Sequence, residues 1–328
     1  MKRLYTTLLA TILLVSLANA QSVGKLDFKT DGYTFKKFGH APKKIFLQHF
    51  NVNYQMVMIS YAQAKGGVTY GSASSTLALG LDGIDEARLQ AMTDKYYADF
   101  VAKLEAAGYS IMTAAEVKQS EYFADAEEIP GGTPTMDAIA RGYLTSSPTG
   151  FVTLDVKNSI FNLLGEKESK ELGGLIVARV NLTVPFAESQ ETNGGLVGGV
   201  AKIVAKADLR LSPSESVPTK SDFKKPTIIE TNVSFMYKES LKWQATYQGK
   251  LKKAIEIEDV LDEKKKYKAT SVGESGFRHP NKAWLPSNYS ENAVPIEIDA
   301  EKYYKGVDEA ISTYLNAAVD GFIEKSGS

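Results

Sequence analysis

The hydrophobic period of this chain changes along its length, and that change limits the folds open to it. Between Ile84 and Ala107 the apolar positions Met92, Tyr96, Phe100 and Leu104 recur every fourth residue, with Leu89 and Val101 widening the stripe. This is the spacing of one buried helix face. From residue 151 onward the period drops to two. Val180, Leu182 and Val184 alternate with Arg179, Asn181 and Thr183, and Ile203, Ala205, Ala207, Leu209 and Leu211 alternate with mostly polar neighbours. Farther on, Val233, Phe235 and Tyr237 share parity with Leu241, Trp243, Ala245 and Tyr247. Such alternation marks half-buried strands. Helical spacing returns near the end, through Tyr304, Val307, Ile311, Leu315, Ala318 and Phe322.

The resulting order is strand, helix, strand, helix, a run of antiparallel strands, then a helix. It predicts an α+β fold: a mixed or antiparallel sheet with helices packed on one face, a long helix near 84–107 and a C-terminal helix near 300–325. Local signals agree. Asp82 or Asp85 can cap the first helix, and Gly108 stands where a left-handed residue ends one. Thr113 and Glu116 have the spacing of a capping box. Residues 21–44 read as a polar arm or edge strand, and 44–61 as a strand rich in β-branched and aromatic residues. Asn193-Gly194-Gly195 suits a hairpin turn, and Lys238-Glu239-Ser240 a second. The proline- and glycine-punctuated stretch near 120–175 reads as an irregular excursion from a single domain spanning 21–328. The Ala205 and Ala207 side suits close packing under a helix.

Lys2 and Arg3, the apolar run Leu8 to Leu17 and the small residues Ala18 and Ala20 have the three-part form of a secretion leader, so residues 1–20 are expected to be removed and the chain exported. The expected compartment is the periplasm, the outer-membrane surface or the exterior. No later segment is long and apolar enough for a membrane helix. The chain has no cysteine, which excludes disulfides and thiol chemistry, and its length suffices for a core without them. The formal charge of −1 argues against a nucleic-acid partner and gives no sign of a polybasic membrane protein.

No catalytic, cofactor-binding or metal-ligating set stands out. The three histidines, His40, His49 and His279, include no pair at helical spacing. There is no nucleophile elbow, and Gly194-Gly195 and Gly198-Gly199 open no helix of the phosphate-binding kind. Asp82 to Glu86 lacks the ligand spacing of a calcium loop. Tyr237, Trp243 and Tyr247 share a strand face and form a candidate ligand platform, although same-face aromatics also serve as core. Asn181, Asn232 and Asn288 are sequons, relevant in a glycosylating host.

The segment Lys44 to Phe50, followed by Met92 to Lys95 and Leu104 to Met112, resembles the periplasmic α/β domain of the curli secretion-channel family (CsgG) and the TolB amino-terminal domain. That resemblance implies an envelope scaffold of strand, helix and strand, without a transferable active site. The channel family's lipid-bearing cysteine has no counterpart here. The leading expectation is a secreted or envelope non-enzymatic protein acting through contacts with an unknown protein partner, with a homo-oligomer open. The alternatives are a carbohydrate- or lipid-binding protein using residues 175–250, and a hydrolase with an unrecognised carboxylate site.

Overall fold

The computed structural model describes residues 23–64, 73–156, 165–193, 200–218, 226–263, 265–272 and 293–327. The expected leader at 1–20, the glycines Gly194, Gly195, Gly198 and Gly199 of the expected hairpin turn, His279 and Asn288 lie outside the described residues.

In chain order, the first half carries β1 (Phe28–Tyr33), β2 (Lys44–Gln55), β3 (Val57–Ala64), β4 (Ala73–Asp82), α1 (Glu86–Ala106), β5 (Ser110–Met112) and α2 (Ala114–Val117). There follow β6 (Glu127–Pro130), β7 (Thr135–Met136), β8 (Tyr143–Ser146), β9 (Val152–Asp155), α3 (Gly165–Glu171) and β10 (Ile176–Val184). The next hairpins are β11 (Ala187–Asn193) with β12 (Val200–Ala207), then β13 (Arg210–Leu211), β14 (Ser214–Pro218) and β15 (Pro226–Glu230). Last come β16 (Asn232–Lys238), β17 (Gln244–Leu251), β18 (Ile255–Glu256), β19 (Lys266–Val272), β20 (Val294–Glu297) and α4 (Ala300–Gly327). This is the expected α+β class, with both long helices at the expected places.

The central sheet has the order β1-β17-β16-β10-β2-β8-β7, with β5 also pairing β2. It is mixed, since β2 runs parallel to β10 and β5 while its other partner β8 is antiparallel. The two long helices pack together on one face of this sheet. Their apolar stripes meet Ile45, Leu47, Phe50, Val52, Tyr54, Val180, Leu182, Val233, Phe235 and Tyr247 in the main core. Asp85 caps α1 by accepting from the Ala87 amide at 2.9 Å, and Gly108 takes a φ of 84° just beyond it. Thr113 and Glu116 form the reciprocal capping box. The opposite face is covered at one end by α2, the short turn Glu121–Phe123 and the β6–β9 ribbon, whose Val117, Phe123 and Leu154 bury Phe46 and Val177. The described part of the stretch near 120–175 is tied to this architecture. It contributes β8, wholly buried, to the central sheet.

β2 and β10 each run on, past a break, into a second tier. β3 is the outer strand of a sheet in the order β20-β4-β3, while β11 is the outer strand of one in the order β11-β12-β19. These two three-stranded sheets pack against each other. The parallel partners thus part company at Met56 and Pro185, and parting frees backbone groups that need new acceptors. Gln55 supplies one: its Oε1 accepts from the Phe186 and Ala187 amides at 3.0 and 3.2 Å. The Gly142 carbonyl accepts from Met56 and Val57 at 2.9 and 3.0 Å. A side chain at Gly142 would stand 2.0 Å from the Val57 carbonyl oxygen, at a φ of 79°, so only glycine fits this junction.

Small residues line the interior of the second tier: Ala62, Ala64 and Ala73 face Ala201, Ala205 and Ile203. The alanine side of β12 therefore packs under another sheet, contrary to the expected helix. Short side chains do this because two extended backbones can then approach closely on both faces.

Candidate functional site

The three aromatics picked from the sequence do not form a platform. Tyr237 and Tyr247 are buried on the helix-covered face. The Tyr247 hydroxyl donates to the Ala318 carbonyl at 2.8 Å, and its ring lies edge-on to Phe235 and Phe322. Tyr237 packs beside Phe38 and donates to Glu239 at 3.1 Å. Trp243 sits apart in the turn between β16 and β17, with its ring 4.0 Å from that of His40. The turn occupies Glu239 to Trp243, so the shared parity of Trp243 with its neighbours carries no facial meaning. The core role of Tyr237 and Tyr247 explains their spacing.

The other face of the sheet is more informative. Between the cluster around Phe46 and Val177 and that of Ala140, Tyr143, Val217 and Ile229 runs a polar band built from the outward positions of β8, β2, β10 and β16. In register, Arg179 stands beside His49, Asn181 beside Asn51, and Thr183 beside Asn53. Asn232 and Ser234 lie opposite Asn181 and Arg179 on the far side. Asn53 donates to Asn181 Oδ1 at 2.9 Å and accepts from Thr145 at 2.9 Å, while Ser147 donates to Asn51 at 2.7 Å. At one end lies Glu168, brought by α3 and almost wholly buried. It takes a 2.9 Å ion pair from Arg179 and a 2.5 Å hydrogen bond from Gln48. Arg179 Nε also donates to Gln48. Burial pushes the Glu168 carboxyl up, with Arg179 as the main opposing influence. Two buried atoms of the band, Asn232 Oδ1 and Thr183 Oγ1, have no hydrogen-bond partner among the described residues. A buried polar atom left unpaired costs about 1–3 kcal/mol, so such atoms point to a missing partner.

His49 is pulled down from 6.5 to about 4, by burial first and by Arg179 second. The sign follows. Between those two values the unfolded chain takes up a proton that the folded chain refuses, so stability falls as pH drops through that window. At 1.36 kcal/mol per unit, the loss from this group is about 3 kcal/mol by pH 4. Replacing it with a neutral side chain, His49→Gln, should shrink the difference between the unfolding free energies measured in urea at pH 7 and pH 4 by about that amount. An undiminished difference would place the acid sensitivity elsewhere.

A second charged cluster lies where β13 meets β18. Arg210 is tied to Asp208 at 2.9 Å and to Glu215 at 2.7 Å. Glu256 is pushed up to about 7 by partial burial, then by its hydrogen bond to Asp208 and that group's charge. The hydrogen bond holds the Glu256 and Asp208 carboxyls too close for the separation of about 5 Å or more that glycoside hydrolysis requires.

The second tier presents two long edges. β3 is paired only by β4, and β11 only by β12, among the described residues. β3, with the sequence VMISYAQA, contains no charged residue and no proline. The outward face of β11, β12 and β19 is basic, carrying exposed Lys202, Lys206, Lys266 and Lys268, with Lys206 directly opposite Lys266. Lys206 is offset by Glu188 at 3.0 Å.

Among the described residues no helix is long and apolar enough to cross a membrane, and no three metal-ligating side chains gather. His49 lies in the polar band and His40 against Trp243. The sequence pattern marks Arg179, Asn181 and Thr183 as the polar side of a strand, but not Glu168, which comes from α3 just before that strand. No protein-family model, curated protein or solved structure matches this chain.

Proposed function

We propose that this is an exported, non-enzymatic envelope protein that acts by protein–protein contact, with the second tier as its assembling surface and a second copy of the chain as the first partner. The observation that carries the reading is the edge of β3. Unpaired strand edges are templates for another strand, and soluble proteins ordinarily blunt them with charge, proline or a bulge. β3 has neither charge nor proline from Val57 to Ala64. Pairing of β3 with its symmetry mate gives a closed, self-complementary interface of the commonest kind. The leader at 1–20 and the resemblance to the curli secretion-channel scaffold support the envelope setting.

The test is light scattering of the protein processed by its host, beside the double variant Tyr61→Lys/Gln63→Lys. Wild type is expected as an oligomer and the variant as a monomer with an unchanged circular dichroism spectrum. A wild type that stays monomeric at high micromolar concentration would sink the reading.

A second reading, carbohydrate binding, is favoured by the unpaired Asn232 Oδ1 and Thr183 Oγ1 beside the asparagine row. Sugar hydroxyls both donate and accept, which suits a band of this composition. Calorimetry with a panel of polyhydroxyl ligands, compared between wild type and Asn181→Leu, tests it. Absence of any heat that the variant abolishes rules it out.

A further inference from the structure

The turn joining β16 to β17 is held by its own hydrogen bonds. The Glu239 amide donates to the Trp243 carbonyl at 2.9 Å, and the Trp243 amide to the Ser240 carbonyl at 3.2 Å. A turn fixed in this way nonetheless presents a leucine to solvent: Leu241 is 84% exposed, more than any other large apolar residue described. A single exposed leucine is ordinary. This one has neighbours that make it less so. Trp243 is part-buried beside it, capped by the exposed His40. Lys37 Nζ donates to the Lys242 carbonyl at 2.5 Å, which ties the turn to the 3-10 helix Phe35–His40. That segment lines an open cleft of about 390 Å³ with Thr34, Phe35, Lys36, Lys37 and Lys325. Lys325 lies over the Phe35 ring at 5.8 Å, and Lys242 over the Trp243 ring at 5.2 Å.

The tip therefore combines a protruding leucine, a tryptophan and four lysines, with Glu239 as the acid at its base. The whole-chain charge gave no sign of this local excess. Aromatic residues with a polar edge favour the headgroup region, a short aliphatic side chain enters the acyl boundary, and surrounding lysines are attracted to anionic headgroups. We propose that this tip is a docking surface for an anionic phospholipid bilayer: Leu241 inserts, Trp243 lies at headgroup level, and Lys36, Lys37, Lys242 and Lys325 contact lipid phosphates. Charge complementarity selects the partner. The tip is separate from the β3 edge, so the two proposals fail independently.

The test is co-sedimentation of the host-processed protein with vesicles of phosphatidylcholine alone and with about 30 mol % phosphatidylglycerol. Binding to the anionic vesicles should be about tenfold or more the stronger, and should fall steeply as salt is raised. Leu241→Ser and Lys36→Glu/Lys242→Glu should each lower it about tenfold while leaving oligomeric state and unfolding midpoint unchanged. In a Trp284→Phe background, the remaining Trp243 emission should shift to the blue on vesicle addition. Equal binding to neutral vesicles, no binding to either, or retention unaffected by both variants would overturn the proposal. In the last two cases the tip would belong to a protein partner.

Discussion

Truncating Phe322 to alanine should lower the stability of this protein by about 3–5 kcal/mol, the range for removing a large buried aromatic ring from a core. The ring sits on α4 in the middle of an aromatic cluster. It stacks on Phe235 with centroids 3.7 Å apart and planes 7° from parallel. Phe38 meets it edge-on at 5.2 Å, and Tyr109 and Tyr247 lie at 5.5 and 5.7 Å. Phe322 is thus the contact through which the last helix is seated on β16, β17 and the 3-10 helix together. Two terms add. The lost transfer free energy of the side chain is about 1.5–3 kcal/mol, and the surrounding rigid rings cannot collapse into the cavity. Aromatic pair geometry contributes about 0.5–1.5 kcal/mol more per favourable pair. Phe322→Leu, which keeps most of the volume, should cost clearly less. Urea unfolding of both variants measures the effect. A midpoint for Phe322→Ala within error of wild type would mean that α4 is not seated as described.

That helix was plain in the sequence because its stripe runs unbroken from Tyr304 to Phe322, and a single period over many turns has one reading. The same holds for Met92 to Leu104. The first long strand was legible only loosely, and the structure gives the reason. A register shift between β2 and β10 at Ala178/Arg179 inserts an extra residue near Gln48, so Leu47 and Phe50 both face the helices. Alternation read through a bulge loses its parity. Trp243 misled for a related reason, since a five-residue turn reset the count between Tyr237 and Tyr247. The second tier was not foreseen as a tier. Nothing in the run Gln55-Met56-Val57 announces that one strand ends and another begins, because the break is made by Gly142 and Phe186, both far off in sequence. The polar band was half visible as Arg179, Asn181 and Thr183. Its charge partner Glu168 comes from α3, in a lysine- and glutamate-rich stretch whose pattern suggests a solvated surface.

The Glu168–Arg179 pair should respond very unequally to loss of its two members. Glu168 has only 3% of its side chain exposed, whereas Arg179 retains 24%. Removing the arginine by Arg179→Met strands a carboxylate with no solvent to turn to, and breaking a buried pair in this way costs about 3–5 kcal/mol. Removing the acid by Glu168→Gln should cost less, because the guanidinium can reach water and Gln48 still accepts from it. Burial raises the Glu168 pKa despite Arg179 and Gln48, so the pair's attraction does not fully offset the desolvation of the carboxylate. The double variant Glu168→Leu/Arg179→Met should therefore recover much of the stability lost by Arg179→Met alone. The pH dependence has a definite sign. Without Arg179 the Glu168 pKa rises further above its unfolded value, and a group so raised contributes stability that is present below the unfolded pKa and lost as pH climbs through the folded one. The deficit of Arg179→Met relative to wild type should be smallest near pH 4 and should grow toward pH 8. Loss of the guanidinium also removes one of the two influences holding His49 down, which eases protonation there and acts in the same direction. Urea midpoints of the wild type, both single variants and the double variant at pH 4 and pH 8 measure all of this. A deficit that is constant with pH would mean that Glu168 is not a stranded carboxylate in the variant, and that the arginine contributes through packing alone.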